Sequence, residues 1–288
     1  MREIPPLSIA QTLKQYGLRA SKGLGQNFLE DPLALGQIAS AAEIQENDVV
    51  LEIGPGLGSL TRYLSLSAQE VVAVELDRKL IPVLRGLLEP LGNIRLIEGD
   101  ILTLSPAELS LPEGYLVAAN IPYNITSAVL RHLLESEPKP RRMVLTVQKE
   151  VAERICSGPP RMSLLSLSVQ VYGQPSIVGR IPANAFFPAP RVDSAVVKLE
   201  IYREPAIPAG LLPVFFRLTK ACFAQKRKML RNAFAAGVRI SPAEAGDVLL
   251  EAGIDPQRRA ETLGLQEWES LSQLWSARHR STMPVGGA

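Results

Sequence analysis

Between residues 49 and 148 the chain alternates short apolar runs with amphipathic stretches of helical period. Val49-Val50-Leu51-Glu52-Ile53 reads as a buried strand, followed by a glycine-rich turn and a helix from Ser59 to about Ser67. Val71 to Glu75 is a second strand, and residues 78–89 form a helix with Pro82 in its first turns. Ile94 to Ile97 is a third, running into Glu98-Gly99-Asp100, and Tyr115 to Ala119 a fourth, ending at Asn120. A helix from Ser127 to about Leu134 leads to a fifth strand, Met143 to Gln148. Strands alternating with helices predict right-handed crossovers and a largely parallel sheet. Ahead of this lie a helix over 7–20, a polar loop from Ser21 to Leu29, and a helix opened by Asp31-Pro32 as N-cap and N1.

The pattern changes after residue 160. Leu164–Tyr172, Ser176–Ile181 and Ser194–Tyr202 look strand-like and complete the sheet with an antiparallel edge. Glu204 to Gly210 reads as a linker. Helical sequence follows over 211–224 and 226–236, then a capping box at Ser241-Pro242-Ala243-Glu244, a short helix at Asp255-Pro256 and a last helix over 266–278. Ser281–Ala288 is expected to fray. The predicted architecture is an α/β domain over 1–204 and a small all-helical domain over 205–288.

Of 288 residues, 46% are hydrophobic and 21% charged, which excludes global disorder. Two cysteines without a CxxC pair, and two histidines, argue against a zinc site or a disulfide scaffold. No apolar run is long enough for a membrane span, and no signal h-region opens the chain, so a reduced cytoplasmic protein is expected. A net charge of +2 does not by itself imply nucleic-acid binding.

Chemistry concentrates at strand ends. Glu52-Ile53-Gly54-Pro55-Gly56-Leu57-Gly58 joins a strand to a helix, and missing Cβ atoms allow a tight turn and close backbone approach to a ligand. The third glycine falls one residue early for a dinucleotide fingerprint. Glu52 either pins the loop or meets a cationic ligand end, which suits S-adenosylmethionine better than a pyrophosphate. Glu75 is placed to accept ribose hydroxyls, a feature that NAD and S-adenosylmethionine share. Asp100 is either an acceptor for adenine's exocyclic amine or a turn cap. In Asn120-Ile121-Pro122-Tyr123 the Asn120 side-chain oxygen and the Pro122 carbonyl can accept the two hydrogens of an exocyclic amine. That orients a poorly nucleophilic nitrogen toward a methyl donor, while Tyr123 offers a flat face for the base.

With these motifs together, the chain resembles the bacterial small-subunit ribosomal RNA adenine dimethyltransferase family and, more distantly, the ribosomal methyltransferases of macrolide resistance. The resemblance runs nearly end to end. It is carried by Gly25-Gln26-Asn27-Phe28-Leu29, Glu52 to Gly58, Asn120 to Ile125, Gln148 to Arg154, Phe186 to Val197 and Lys226 to Asn232. It implies a Rossmann-like class I methyltransferase fold and S-adenosylmethionine as cofactor. Asn27 and Leu29 would border the cofactor, Gly54 with Gly56 would lie beneath its methionine part, and Asn120 would stand beside cofactor and target. Phe186 would pack on the flipped base opposite Tyr123. The implied partner is 16S rRNA in the immature 30S subunit, with the protein a monomer, no metal and no membrane. Ile121 and Arg191 depart modestly from the family pattern, and Pro159 to Leu164 lacks its usual Tyr-Gly.

Lys220, Lys226, Arg227, Lys228 and Arg231 form a basic stretch without acids, which is either a phosphate-binding surface or a solvated helix face. Phe223 and Phe234 are expected in the core. Cys156 and Cys222 read as inert, partly buried thiols. The rival functions are a 23S RNA methyltransferase, a DNA adenine methyltransferase and a non-catalytic RNA-binding assembly factor.

Overall fold

The computed structural model describes residues 4–5 and 7–279, so the predicted frayed end lies outside the described residues. The chain divides into two compact units. The first runs up to Glu153 and resumes over Gln174–Ile201; the second comprises Arg154–Gly173 and the chain from Tyr202 onward.

The first unit opens with helix α1 (Ile9–Gln15), the two-residue strand β1 (Phe28–Leu29) and α2 (Pro32–Ala42). Asp31 caps α2, its side chain accepting from the Ala34 amide at 2.9 Å, with Pro32 at N1 as expected. Then come β2 (Val49–Ile53), α3 (Ser59–Leu64), β3 (Glu70–Glu75), α4 (Ile81–Leu88), β4 (Ile94–Glu98), β5 (Leu116–Asn120), α5 (Thr126–Glu135) and β6 (Arg142–Gln148). Helix α6 (Lys149–Ile155) spans the boundary between the units. After the second unit's helix α7 (Leu164–Gln170), the sheet resumes with β7 (Gly173–Ile181), β8 (Phe186–Phe187) and β9 (Ser194–Ile201).

Seven strands form one sheet in the order β4-β3-β2-β5-β6-β9-β7. The pairs from β4 through β6 are parallel, and β9 runs antiparallel to β6. Strands β2, β3 and β5 are almost wholly buried, which is why their sequences are continuous apolar runs rather than alternating ones. Leu35, Ile38, Leu60 and Leu64 pack on Val50, Val71, Leu116 and Val144; Ile9, Leu13, Leu80 and Leu84 cluster with Phe28 and Leu57. The chain builds outward from β2 to β4, then returns to place β5 on the other side of β2. That reversal makes a switch point between β2 and β5, where open α/β sheets hold ligands.

The second unit contains α7, α8 (Leu212–Phe223), α9 (Leu230–Val238), α10 (Pro242–Glu251) and α11 (Leu265–Arg278). Its core includes Phe215, Leu218, Phe223, Phe234, Trp268 and Trp275, so the expected placement of both phenylalanines holds. The Phe234 and Trp275 rings meet edge-on, 5.1 Å between centroids. Cys222 is buried, and burial pushes its thiol up to about 12; Cys156 is half-buried and shifted in the same direction.

Three local expectations are corrected. Residues 164–172 are helical over α7, because Ser163 and Ser166 form a reciprocal capping box. This segment groups with the helical unit and not with the sheet. Lys226, Arg227 and Lys228 lie in the connection between α8 and α9, because α9 begins only at Leu230. Asp255-Pro256 makes a turn, the Asp255 carboxylate accepting from the Gln257 amide at 2.9 Å, rather than opening a helix.

Candidate active site

A cavity opens at the carboxyl ends of the parallel strands. It is lined by nine of the residues singled out from sequence: Asn27, Leu29, Gly54, Gly56, Glu75, Asp100, Asn120, Pro122 and Tyr123. Glu52 lines it as well.

The glycine turn after β2 forms its floor. Gly54 (φ 66°) and Gly56 (φ 63°) both take the left-handed conformation that L side chains rarely adopt. A Cβ on Gly56 would meet the Phe28 ring at 2.8 Å, whereas one on Gly54 would meet nothing within 4 Å. Gly54 therefore leaves open space where its side chain would stand, while Gly56 admits Phe28. Glu75, at the end of β3, braces this turn: Oε2 accepts from the Gly56 amide at 3.1 Å and Oε1 from the Asp77 amide at 2.8 Å. Burial raises the Glu75 pKa, and these backbone donors oppose the rise. Asp100 follows β4 and caps a turn, its Oδ1 accepting from the Leu102 amide at 2.9 Å. Asp100 is thus a turn cap, and it also lines the cavity.

Glu52 differs from Glu75. It is 1% exposed, and its Oε2 has no hydrogen-bond partner. Burial pushes its pKa up to about 8, Thr61 opposing and the nearby Glu75 adding to the rise.

At the end of β5, Asn120 donates from Nδ2 to the Asn27 carbonyl at 3.0 Å. A carbonyl only accepts, so this contact commits the amide nitrogen and fixes the flip, leaving Oδ1 as the free acceptor. The Pro122 carbonyl accepts from the Ile125 amide at 3.1 Å and keeps a second lone pair. The Tyr123 hydroxyl meets the Ser194 Oγ at 2.6 Å, which fixes the ring. Burial raises the Tyr123 pKa, and the Ser194 bond partly offsets this.

The loop from Ser21 to Leu29 is tied down at several points. Gln26 donates to the Asp77 carboxylate at 2.9 Å and accepts from the Ser21 amide at 2.8 Å. Strand β1 then pairs with β8, setting Leu29 opposite Phe186 and Phe28 opposite Phe187.

Phe186 is not brought into the cavity. Its ring is 3% exposed and packs in the core with Leu29, Leu35 and Ile38, while Phe187, next along the strand, is 37% exposed. The two rings alternate because successive strand side chains point to opposite faces. Lys220, Lys226, Arg227, Lys228 and Arg231 are all exposed in the second unit. Among the described residues, no cluster of His, Cys, Asp and Glu is placed to hold a metal, and no helix is long and apolar enough to cross a membrane.

Sequence reasoning assigned no role to Ser194, Gln26 or Asp77. Ser194 carries a faint signal, as a hydroxyl just before the apolar run Ala195-Val196-Val197; Gln26 and Asp77 bond to each other across 51 positions and leave none.

The cavity's polar groups follow the order of the strands. From β4 to β5 the positions run Asp100, Glu75, the Glu52–Gly54 turn and Asn120. In succession stand a turn-capping carboxylate, a buried carboxylate braced by two amides, a partnerless buried carboxylate beside the glycine turn, and an amide whose oxygen is free. The fold and this site define a class I S-adenosylmethionine-dependent methyltransferase.

Comparison with known proteins narrows the class. Residues 17–276 match the model of the family described as ribosomal RNA adenine dimethylase. The chain is 48% identical over 263 residues to ribosomal RNA small subunit methyltransferase A of Dehalococcoides mccartyi strain CBDB1, covering 91% of this chain and 90% of that protein. It is 38% identical over 282 residues to the protein of that name from Alkaliphilus metalliredigens, covering 96% and 98%. Among solved structures, the 23S rRNA methyltransferase ErmE is 28% identical with a TM-score of 0.70, covering 86% of this chain and 99% of ErmE. A dimethyladenosine transferase from Plasmodium falciparum is 26% identical with a TM-score of 0.73, covering 87% and 98%. The chain belongs to the ribosomal RNA adenine dimethylase family. Its cofactor is S-adenosylmethionine.

Proposed function

We propose that this chain methylates N6 of two adjacent adenines near the 3′ end of 16S rRNA, giving N6,N6-dimethyladenosines in the immature 30S subunit. The observation that carries the chemistry is the Asn120 amide: its nitrogen is held by Asn27, and its oxygen is left free at the cofactor cavity. The choice of small-subunit RNA over 23S RNA rests on the 48% and 38% identical relatives, whose names specify the small subunit. The protein acts as a cytoplasmic monomer.

When bound, the cofactor supplies an activated methyl group. Asp100 holds its adenine, Glu75 its ribose, and Gly54 gives its methionine part backbone access while Gly56 makes room for Phe28 in the same turn, with Asn27, Leu29 and Asn120 at the border. Asn120 Oδ1 and the Pro122 carbonyl accept the two hydrogens of the target amine, aiming its lone pair. Tyr123 offers the base its ring face, Phe186 backs the cavity wall from the core through Leu29 and Leu35, and Lys220, Lys226, Arg227, Lys228 and Arg231 neutralise phosphates. Positioning and electrostatics suffice for this displacement, with no strong base or metal.

Tritiated-methyl transfer to immature 30S subunits, 50S subunits and duplex DNA, followed by nucleoside mass spectrometry, tests the assignment. Dimethyladenosine confined to 30S RNA is expected; product in 50S RNA or DNA would replace this reading with the corresponding rival.

Glu75→Ala should weaken S-adenosylmethionine binding by roughly 1–3 kcal/mol, the scale of lost charge-assisted bonds. The loss includes the bracing of Gly56, because Glu75 accepts from its amide. Calorimetry on both proteins measures it, and equal affinities would remove Glu75 from the ribose role.

Reversing Lys226 and Lys228 to glutamate should weaken RNA binding and flatten its salt dependence, leaving cofactor affinity nearly unchanged. Each lost phosphate contact lowers the log–log salt slope by roughly 0.7–0.9. Both side chains are exposed in a connection, so the substitutions disturb no helix interior. A folded variant with an unchanged slope would make this stretch a solvated face.

A further inference from the structure

Glu52 is a buried carboxyl with no cation beside it, Thr61 alone opposing the rise in its pKa. Its Oε2 has no partner, and no Lys, Arg or His lines the cavity among the described residues. The groups near it are acidic or neutral: Glu75 from β3, Thr61 with Ser59 from α3, and the Asn120 amide at the end of β5. An ionised carboxylate there would pay desolvation without a compensating cation, so the free protein holds it protonated. At Glu75 two backbone amides donate at 2.8 and 3.1 Å, whereas at Glu52 Thr61 opposes the rise and Oε2 is left without a partner.

Glu52 also stands at a particular place along the ligand. The edge order sets Asp100 and Glu75 on the β4 and β3 side and Asn120 on β5, with Glu52 between. The methyl group must leave toward Asn120, so the sulfonium and the amino-acid end that it carries belong at the β2 turn.

We propose that Glu52 is a proton-linked anchor: neutral in the free protein, it releases its proton to solvent as the cationic end of S-adenosylmethionine enters, and the resulting carboxylate pairs with that end. The proton passes to buffer, and no bond of the cofactor changes. Linkage then makes cofactor affinity rise with pH over the range in which free Glu52 is still protonated. With its pKa near 8 in the free protein, Glu52 is mostly protonated at pH 7 and mostly ionised by pH 9.5. This inference rests on the cofactor placement given above.

Calorimetric titration of the full chain with S-adenosylmethionine, in two buffers of different ionisation enthalpy, counts the protons released. At pH 7 the wild type should release about one proton more than Glu52→Gln, and the difference should vanish by pH 9.5. Subtracting the variant removes contributions from Glu75 and from the ligand's own amine. 5′-Methylthioadenosine, which lacks both cationic groups, should give no difference between the proteins. Equal proton counts for two binding-competent proteins at pH 7 would overturn the proposal. If Glu52→Gln fails to fold or bind, the wild type alone decides: S-adenosylmethionine must release about one proton more than methylthioadenosine at pH 7, and equal release overturns the proposal. Absence of binding heat from S-adenosylmethionine in the wild type would instead overturn the cofactor placement itself. An independent check uses the ligand-free proteins. A carboxyl whose folded pKa lies above its unfolded value loses its stabilising contribution as pH rises, so wild-type Tm should fall relative to Glu52→Gln between pH 5 and pH 8. Parallel Tm profiles would show Glu52 already ionised and overturn the proposal.

Discussion

Asn120→Ala should preserve the fold and RNA affinity yet slow single-turnover methyl transfer by about a hundredfold or more. That corresponds to about 3 kcal/mol, the scale of one lost preorganised transition-state contact. The exocyclic nitrogen of adenine shares its lone pair with the ring, so the amine must be turned and held before it attacks. Asn120 is built for that, because the Asn27 carbonyl engages its nitrogen at 3.0 Å and the oxygen has no alternative orientation. Alanine removes the acceptor and also frees the Asn27 carbonyl, loosening the loop over the cavity. A quench-flow assay with pre-bound RNA and saturating cofactor isolates the step, and resolving mono- from dimethylated adenosine reads both transfers. Near wild-type rates for both methyls would refute the amine-orienting role while leaving the family assignment intact.

The parts of this molecule that were legible in sequence share a physical cause. Strands β2, β3, β5 and β6 lie inside the sheet and parallel to one another, so their residues must be apolar on both faces, and helices between them show a one-sided apolar stripe. The cavity-lining residues at their ends are legible because glycine, glutamate and asparagine are anomalous at the close of such runs. Segment 164–172 was misread because Leu-Leu-Ser-Leu-Ser-Val-Gln-Val alternates almost as a half-buried strand does. The Ser163–Ser166 capping box decides for a helix, and Ser168 bonds back to the Leu164 carbonyl at 2.7 Å. The start of α9 had no local signal. Its first amides, on Leu230 and Arg231, donate to the carbonyls of Arg258 and Pro256 at 2.6 and 3.1 Å, partners far along the chain. The β1–β8 ladder was equally invisible, since two residues on each side carry no periodicity. Yet it fixes Leu29 against Phe186 and so links the cofactor loop to the ring assigned to the base. Resemblance supplied Phe186, and geometry adds that this ring belongs to the core as well.

Tyr123 gives the second large effect, and the structure divides it between ring and hydroxyl. Tyr123→Ala should abolish most base capture, a loss of roughly 1–3 kcal/mol for a stacking face. It also strips the partner from Ser194, which is 0% exposed. Tyr123→Phe keeps the face, so transfer should fall only several-fold. Its cost appears in stability instead, about 1–3 kcal/mol for a buried hydroxyl left unpaired. Ser194→Ala should destabilise for the matching reason, by orphaning the phenol. The double variant Tyr123→Phe with Ser194→Ala removes both polar partners, so it should recover much of the stability lost in Tyr123→Phe, because an apolar pair of similar shape is nearly neutral. Phe186→Leu in the same transfer assay tests whether this core ring bears on the base at all, since leucine keeps apolar bulk in the core and removes only the aromatic face. Chemical denaturation and quench-flow on this set separate the two roles. Additive destabilisation in the double variant would mean that the 2.6 Å contact contributes nothing to stability. Severe loss of transfer in Tyr123→Phe, with the double variant stable, would move the hydroxyl from anchoring the ring to acting on the substrate.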